Sequence, residues 1–182
     1  IFSDNLYGDH GSMSRLDWRA GDDDQQIRFR NLEVGYNFLE TAGIIMKEGR
    51  TFSPSYGNDE NKIIINEKAA QVMGFANPVG EIVKFWGQSK EIIGVARDFH
   101  FESLHEDIQA CIIELDPSSM NVMVSMDKGA EQEVVQSLSQ LYDRFYAGLP
   151  FQYTYADESQ YQLYVAEHRV STLSKCFAGI GI

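Results

Sequence analysis

Lys62-Ile63-Ile64-Ile65-Asn66-Glu67-Lys68-Ala69-Ala70-Gln71-Val72-Met73-Gly74 is the stretch on which the fold turns. Its three isoleucines are β-branched and uninterrupted, which predicts a buried strand over 62–66. Glu67 to Met73 then predicts a short helix, and Gly74 supplies the residue that stops it.

Downstream, Asn77-Pro78-Val79-Gly80 is a turn by composition. Glu81–Trp86 and Lys90–Ala96 predict two strands around Gly87-Gln88-Ser89, hence a hairpin. Ala110–Leu115 predicts another strand, closed by Pro117. Upstream, Ile27–Val34 alternates Ile27, Phe29 and Asn31 against Arg28, Arg30 and Leu32, a strand-like period. Tyr36–Ala42 predicts a short helix that Gly43 terminates. Gly49-Arg50 and Ser53-Pro54 bracket a brief extended piece, and Tyr56–Asn61 reads as a polar loop.

After Pro117 the texture changes. Asn121–Met126 predicts a strand. Glu131–Tyr146 carries Val134, Leu138, Leu141 and Phe145 at spacings of 4, 3 and 4, an amphipathic helix with one apolar face. Gly148 and Pro150 end it, and Phe151, Tyr153 and Tyr155 share one face of a further predicted strand. The result is a strand–helix–strand unit with a boundary near residue 118. From Asp157, Leu163, Ala166, Val170, Leu173 and Phe177 recur at 3, 4, 3 and 4, a heptad-like seam on a terminal helix. Asp157 suits its N-cap.

The whole chain has 182 residues, with 15 Lys and Arg against 27 Asp and Glu, a net charge of −12. A length of this order buries about 70 % of the unfolded surface, and a hydrophobic fraction of 43 % excludes a disordered chain. No internal run approaches the roughly 18–20 apolar residues of a membrane span. The acidic balance argues against nucleic acid and against an anionic membrane surface as partners. Cys111 and Cys176 match no metal spacing, and Cys111 reads as a buried thiol. The opening on Ile1 and the apolar end Cys176–Ile182 lead to the expectation of a segment cut from a longer protein, its last helix continuing towards a bilayer.

Catalytic motifs are missing. The sequence holds no phosphate loop, no His-Glu-x-x-His, no Gly-x-Ser-x-Gly and no dinucleotide fingerprint. Asp22 and Asp24 do not make a calcium loop, because Ile27 stands where the loop needs glycine. The richest chemical segment is Arg97-Asp98-Phe99-His100-Phe101-Glu102-Ser103-Leu104-His105-Glu106. Asp98, His100 and His105 are the candidates there for a ligand or interface loop. On a helix the two histidines would lie about 140° apart around the axis, and on a strand they would face opposite sides. Only an irregular loop brings them together, so a structural link after the strand outweighs a metal site. The tyrosines Tyr153, Tyr155, Tyr161 and Tyr164 are the alternative lining for a ligand groove.

Asn37-Phe38-Leu39-Glu40-Thr41-Ala42-Gly43-Ile44, then Glu48-Gly49-Arg50-Thr51-Phe52-Ser53, then Ile64-Ile65-Asn66-Glu67-Lys68-Ala69-Ala70 and Asn77-Pro78-Val79-Gly80 are blocks that together resemble the MacB-like periplasmic core domain. Ile92-Ile93-Gly94-Val95-Ala96-Arg97-Asp98-Phe99-His100-Phe101-Glu102-Ser103-Leu104 completes the ordered set, and Tyr161–Ile182 resembles the lead into the second membrane helix of FtsX-like permeases.

The resemblance implies an α+β chain in three parts: a β-rich inserted subdomain with short helices over 1–117, a porter-like strand–helix–strand α/β part over 118–156, and a stalk-like helix over 157–182. It implies a non-catalytic, extracytoplasmic (periplasmic) segment of an ABC transporter permease, coupling cytoplasmic ATP hydrolysis to export, efflux or signalling. ATP would sit on a separate nucleotide-binding subunit or domain, so no cofactor is expected on this chain. The implied partners are that cytoplasmic ATPase, a second permease copy or paralogue, and the membrane through flanking helices. Leu163, Ala166, Val170 and Leu173 are the implied stalk residues. No nucleic acid, metal or catalytic residue is expected. Arg169 and Lys175 would sit in the cytoplasm on a simple positive-inside reading, but the ordered blocks outweigh two charges. The family also carries a porter-like strand–helix unit before the insert, which this sequence does not contain. A periplasmic ligand-binding module is the alternative function, and a hydrolase using Ser103 is a third.

Overall fold

The isoleucine run is the centre of a sheet. In the computed structural model, Lys62–Asn66 forms a strand and Ile63, Ile64 and Ile65 are fully buried. The structure describes residues 12–13, 29–57, 59–85, 87–100, 107–118 and 122–155. They divide between two units, 1–123 and 124–182.

In the first unit the elements run β1 (Ser12–Met13), β2 (Phe29–Val34), α1 (Phe38–Thr41), β3 (Met46–Gly49), β4 (Lys62–Asn66), α2 (Glu67–Met73), β5 (Ile82–Phe85), β6 (Gln88–Ala96) and β7 (Cys111–Leu115). The sheet order is β1-β2-β7-β4-β6-β3, with β5 also on β6. Pairs β2–β7 and β4–β6 are parallel, while β1–β2, β4–β7, β3–β6 and β5–β6 are antiparallel. The long strand β6 has β4 along one side, and β5 and β3 share the other: Ile82–Phe85 pairs with its first part and Met46–Gly49 with its last.

Both faces of the sheet are covered, which explains the unbroken isoleucines. Ile64 packs in one cluster with Leu32, Val34, Ile113 and the α1 residues Phe38 and Leu39. Ile63 and Ile65 pack in the other with Phe29, Ile112 and the α2 residues Ala69 and Met73. Alternate side chains of a strand face opposite sides, so consecutive isoleucines feed two cores. Each such side chain contributes about 1.5–3 kcal/mol on burial.

The helix α1 is shorter than the predicted 36–42, because Asn37 at its start is left-handed, with φ 63°. Asparagine tolerates that conformation better than most residues. Gly74 ends α2 in the same region of backbone space, φ 70°. The hairpin turn is tighter than predicted: Gln88 and Ser89 belong to β6, and Phe85 faces Gln88 in the register.

Two glycines let β3 cross β6. A Cβ on Gly49 would stand 2.2 Å from the Ile93 carbonyl oxygen, and one on Gly94 would stand 2.6 Å from that of Arg50. Ile93 is also the extra residue of a bulge, since Ile63 and Ile64 of β4 face Ile92 and Gly94.

In the second unit α3 spans Glu131–Phe145, as its apolar spacing predicts. The strands predicted at 121–126 and 151–155 are not found among the described residues. Period-two patterning specifies which side chains share a face, but a strand also needs a partner for its backbone groups. The shared face survives without the ladder: Phe151 and Tyr153 stack at 5.7 Å, and Tyr153 and Tyr155 meet edge-on at 5.6 Å. The terminal helix expected over 157–182 lies outside the described residues.

Candidate functional site

The segment singled out for chemistry begins where β6 ends. Arg97 follows the strand and its N–H donates to the Ile45 carbonyl at 2.8 Å. Asp98 is exposed, and its Oδ1 accepts the Lys68 N–H at 2.8 Å in the first turn of α2. In return, the Asp98 N–H donates to Glu67 Oε2 at 3.2 Å. Lys47 Nζ of β3 donates to Glu67 Oε1 at 2.6 Å. Three elements are thus tied at one corner by a reciprocal cap: β6 through Asp98, α2 through Glu67 and Lys68, and β3 through Lys47. The Glu67 carboxyl is held below its usual range, chiefly by the Lys47 hydrogen bond and then by the Asp98 N–H.

This arrangement commits Asp98 to the start of a helix, where an acceptor satisfies an otherwise unpaired backbone donor. His100 is exposed, and His105 and Ser103 lie outside the described residues. Among the described residues no cluster of three His, Cys, Asp or Glu side chains is placed to hold a metal. The structure brings Asp98 to Glu67 and Lys68. The stalk candidates Leu163, Ala166, Val170 and Leu173 also lie outside the described residues.

Three polar centres escaped the sequence reading. Asn66, fully buried, caps α2: its Oδ1 accepts the N–H of Ala69 at 2.9 Å and of Cys111 at 2.8 Å, while its Nδ2 donates to the Gln109 carbonyl at 2.8 Å. An asparagine directly before Glu-Lys-Ala-Ala is the signal that marks such a cap. Asp59, only 1 % exposed, receives Arg50 through two bonds of 2.9 and 2.7 Å and the Ser53 N–H at 3.1 Å. The same guanidinium lies 4.2 Å from the ring centre of Tyr56, a cation–π contact. Lys90 of β6 reaches Glu114 of β7 at 2.6 Å, both side chains nearly buried. Glu114 Oε1 and Asn31 Oδ1 are buried without a hydrogen-bond partner among the described residues, each at a cost of about 1–3 kcal/mol.

In the second unit α3 buries none of its residues, and Leu141 and Phe145 are 50 % and 74 % exposed. Tyr142 stacks on Tyr146 at 4.9 Å and meets Phe151 at 5.5 Å, continuing the aromatic series to Tyr153 and Tyr155. The described polar groups act as caps, ion pairs and loop anchors. No helix among the described residues is long and apolar enough to cross a membrane.

No family model matches the sequence, and no curated protein matches it. Solved structures do. The chain is similar to a domain of a permease protein from Porphyromonas gingivalis, with TM-score 0.53 and 17 % identity over 83 % of this chain and 78 % of that one. It is similar to the extracellular domain of the noncanonic ABC-type transporter YknZ from Gram-positive bacteria, with TM-score 0.51 and 17 % identity over 75 % of this chain and 72 % of that one. The periplasmic region of MacB from Actinobacillus actinomycetemcomitans aligns at TM-score 0.49 and 17 % identity over 75 % of this chain. The chain spans 63 % of the length of that MacB region. The α+β fold, a mixed sheet with a few helices, is shared with the extracellular domain of YknZ and the Porphyromonas gingivalis domain.

Proposed function

We propose that the chain is an extracytoplasmic part of an ABC transporter permease, of the MacB and FtsX type, and that it catalyses nothing itself. The observation that carries this is the shared fold with the YknZ and Porphyromonas gingivalis domains. The local chemistry supports it: the described carboxylates of the Asp98 corner and the Arg50 loop are used to hold elements together. In this reading, ATP is hydrolysed on a separate nucleotide-binding subunit or domain in the cytoplasm. The permease, paired with a second copy or paralogue, passes the resulting motion outward for export or signalling. Residues 1–117 form the β-rich insert, and α3 belongs to the porter-like part over 118–156. Leu163, Ala166, Val170 and Leu173 line the stalk that leads to the membrane.

The test is the coding sequence on either side of this segment. One encoded membrane span before it and three after it are expected. A stop codon soon after Ile182 would overturn the proposal.

A ligand-binding module is the second reading, favoured by the exposed rings of Tyr146 and Tyr153 in the aromatic series. It predicts a thermal midpoint that rises with ligand concentration. A screen of peptides, sugars and divalent metals without such a shift removes it.

A further inference from the structure

Apart from the short β1, the chain enters the sheet of the first unit through β2 and leaves it through β7. These two strands are parallel neighbours, in register from Arg30 opposite Cys111 to Val34 opposite Leu115. The ladder is closed at both ends: the Arg30 N–H donates to the Ala110 carbonyl at 2.8 Å, and the Asp116 N–H donates to the Val34 carbonyl at 2.9 Å. Arg30 Nε also donates to Gln109 Oε1 at 3.1 Å. On its other side β2 meets only the two residues of β1 among the described residues. Among the described residues the β7 ladder is therefore the longer of the two pairings that join β2 to the sheet.

Parallel neighbours place their N-terminal ends side by side. Tension between the chain before β2 and the chain after β7 therefore pulls the two strands past each other along their length. The hydrogen bonds of a parallel ladder are evenly spaced and run between the strands. Under this pull they are strained together, and none opens first. Leu32 and Ile113 on one face, and Phe29 and Ile112 on the other, would have to slide in the same step. Pulling the C-terminal ends of both strands apart would instead open the bonds one at a time, from Val34 and Leu115 inward.

The geometry points to the β2–β7 ladder as a shear clamp, which lets the first unit pass tension between its flanking chain segments without unfolding. This rests on the topology alone and holds whether or not the protein is a permease.

Single-molecule stretching of the full 182-residue chain tests it. In a Cys176→Ser background, one tether joins the N-terminus to Pro117→Cys and loads the ladder in shear. A second joins Glu40→Cys to Pro117→Cys and peels it, with Thr41→Cys as a replacement handle if Glu40→Cys lowers the unfolding midpoint. Forced unfolding reports the unfolding barrier along the pulled direction. At equal loading rate, the force for loss of the first unit is expected to be several-fold higher in shear than in peeling. Equal forces, or a lower force in shear, would overturn the clamp.

Discussion

The guanidinium of Arg50 grips the carboxylate of Asp59 through two side-by-side hydrogen bonds, and so pins the end of β3 to a loop nine residues away. Asp59 is 1 % exposed, so its charge depends on this partner.

Arg50→Ala leaves a buried carboxylate without its cation. The expected loss is about 2–3 kcal/mol, below the full cost for a buried pair because the arginine side is partly exposed. Arg50→Lys keeps the charge but not the fork, and should lose roughly 1–2 kcal/mol. Urea unfolding measures both; equal stability of Arg50→Ala and the parent would refute the role given to the pair.

The same pair makes stability sensitive to acid. The Arg50 hydrogen bond holds the Asp59 carboxyl below its ordinary range, against burial, which pushes it up, and with help from the Ser53 N–H. A carboxyl depressed in the folded state contributes stability above the unfolded value of about 3.9, and that contribution is lost as pH falls through the folded value. Unfolding midpoints should therefore drop as pH goes below about 4. Asp59→Asn, already less stable at neutral pH, should show a flatter acid limb; an unchanged acid limb would count against it.

Asn66 is the second centre of the first unit. Asn66→Ala strips acceptors from Ala69 and Cys111 and a donor from Gln109. The expected loss is about 3 kcal/mol, the sum of a helix cap and buried groups left unpaired. A loss no larger than that of an exposed cap, about 1 kcal/mol, would mean that water replaces the side chain.

Much of this architecture is legible in the sequence, and the exceptions have a common cause. The bounds of β4 and α2 follow from Ile63–Ile65 and from Gly74 because local preference and burial agree there. The amphipathic spacing of α3 is likewise a local signal. The failed strands at 121–126 and 151–155 depended on a pairing partner, which no pattern within a segment can specify. Asp59 was hidden for the same reason: within Tyr56–Asn61 it looks like loop polarity, and only the return of Arg50 from β3 gives it a task. Asp98 stands in the sequence beside histidines, and the pattern does not show that it also accepts a hydrogen bond from the helix start thirty residues earlier, brought beside it by the parallel pairing of β4 and β6.

Gly94→Ala should destabilise the β3 edge. The added methyl meets the Arg50 carbonyl at 2.6 Å and the flexible Met46 Cε at 2.5 Å. Met46 can move aside but the backbone oxygen cannot, so a loss of about 1–3 kcal/mol is expected. Limited proteolysis should show earlier cleavage around residues 46–57 than in the parent, and identical digestion would speak against a tight crossing.

At the β6 corner, Asp98→Ala should cost about 1 kcal/mol, as for a lost helix cap. His100→Ala should stay within about 0.5 kcal/mol of the parent, as an exposed substitution. Zinc should leave the thermal midpoint of all three proteins unchanged. A zinc-dependent rise that His100→Ala abolishes would restore the metal reading.

The most direct test of the functional account is the side of the membrane on which the domain lies. In the full-length protein expressed in cells, a cysteine at exposed Lys128 (Lys128→Cys, with Cys176→Ser) is offered a membrane-impermeant thiol reagent in intact spheroplasts. Labelling in intact spheroplasts, equal to that after lysis, is the predicted result. Labelling only after lysis would place the domain in the cytoplasm and contradict the account.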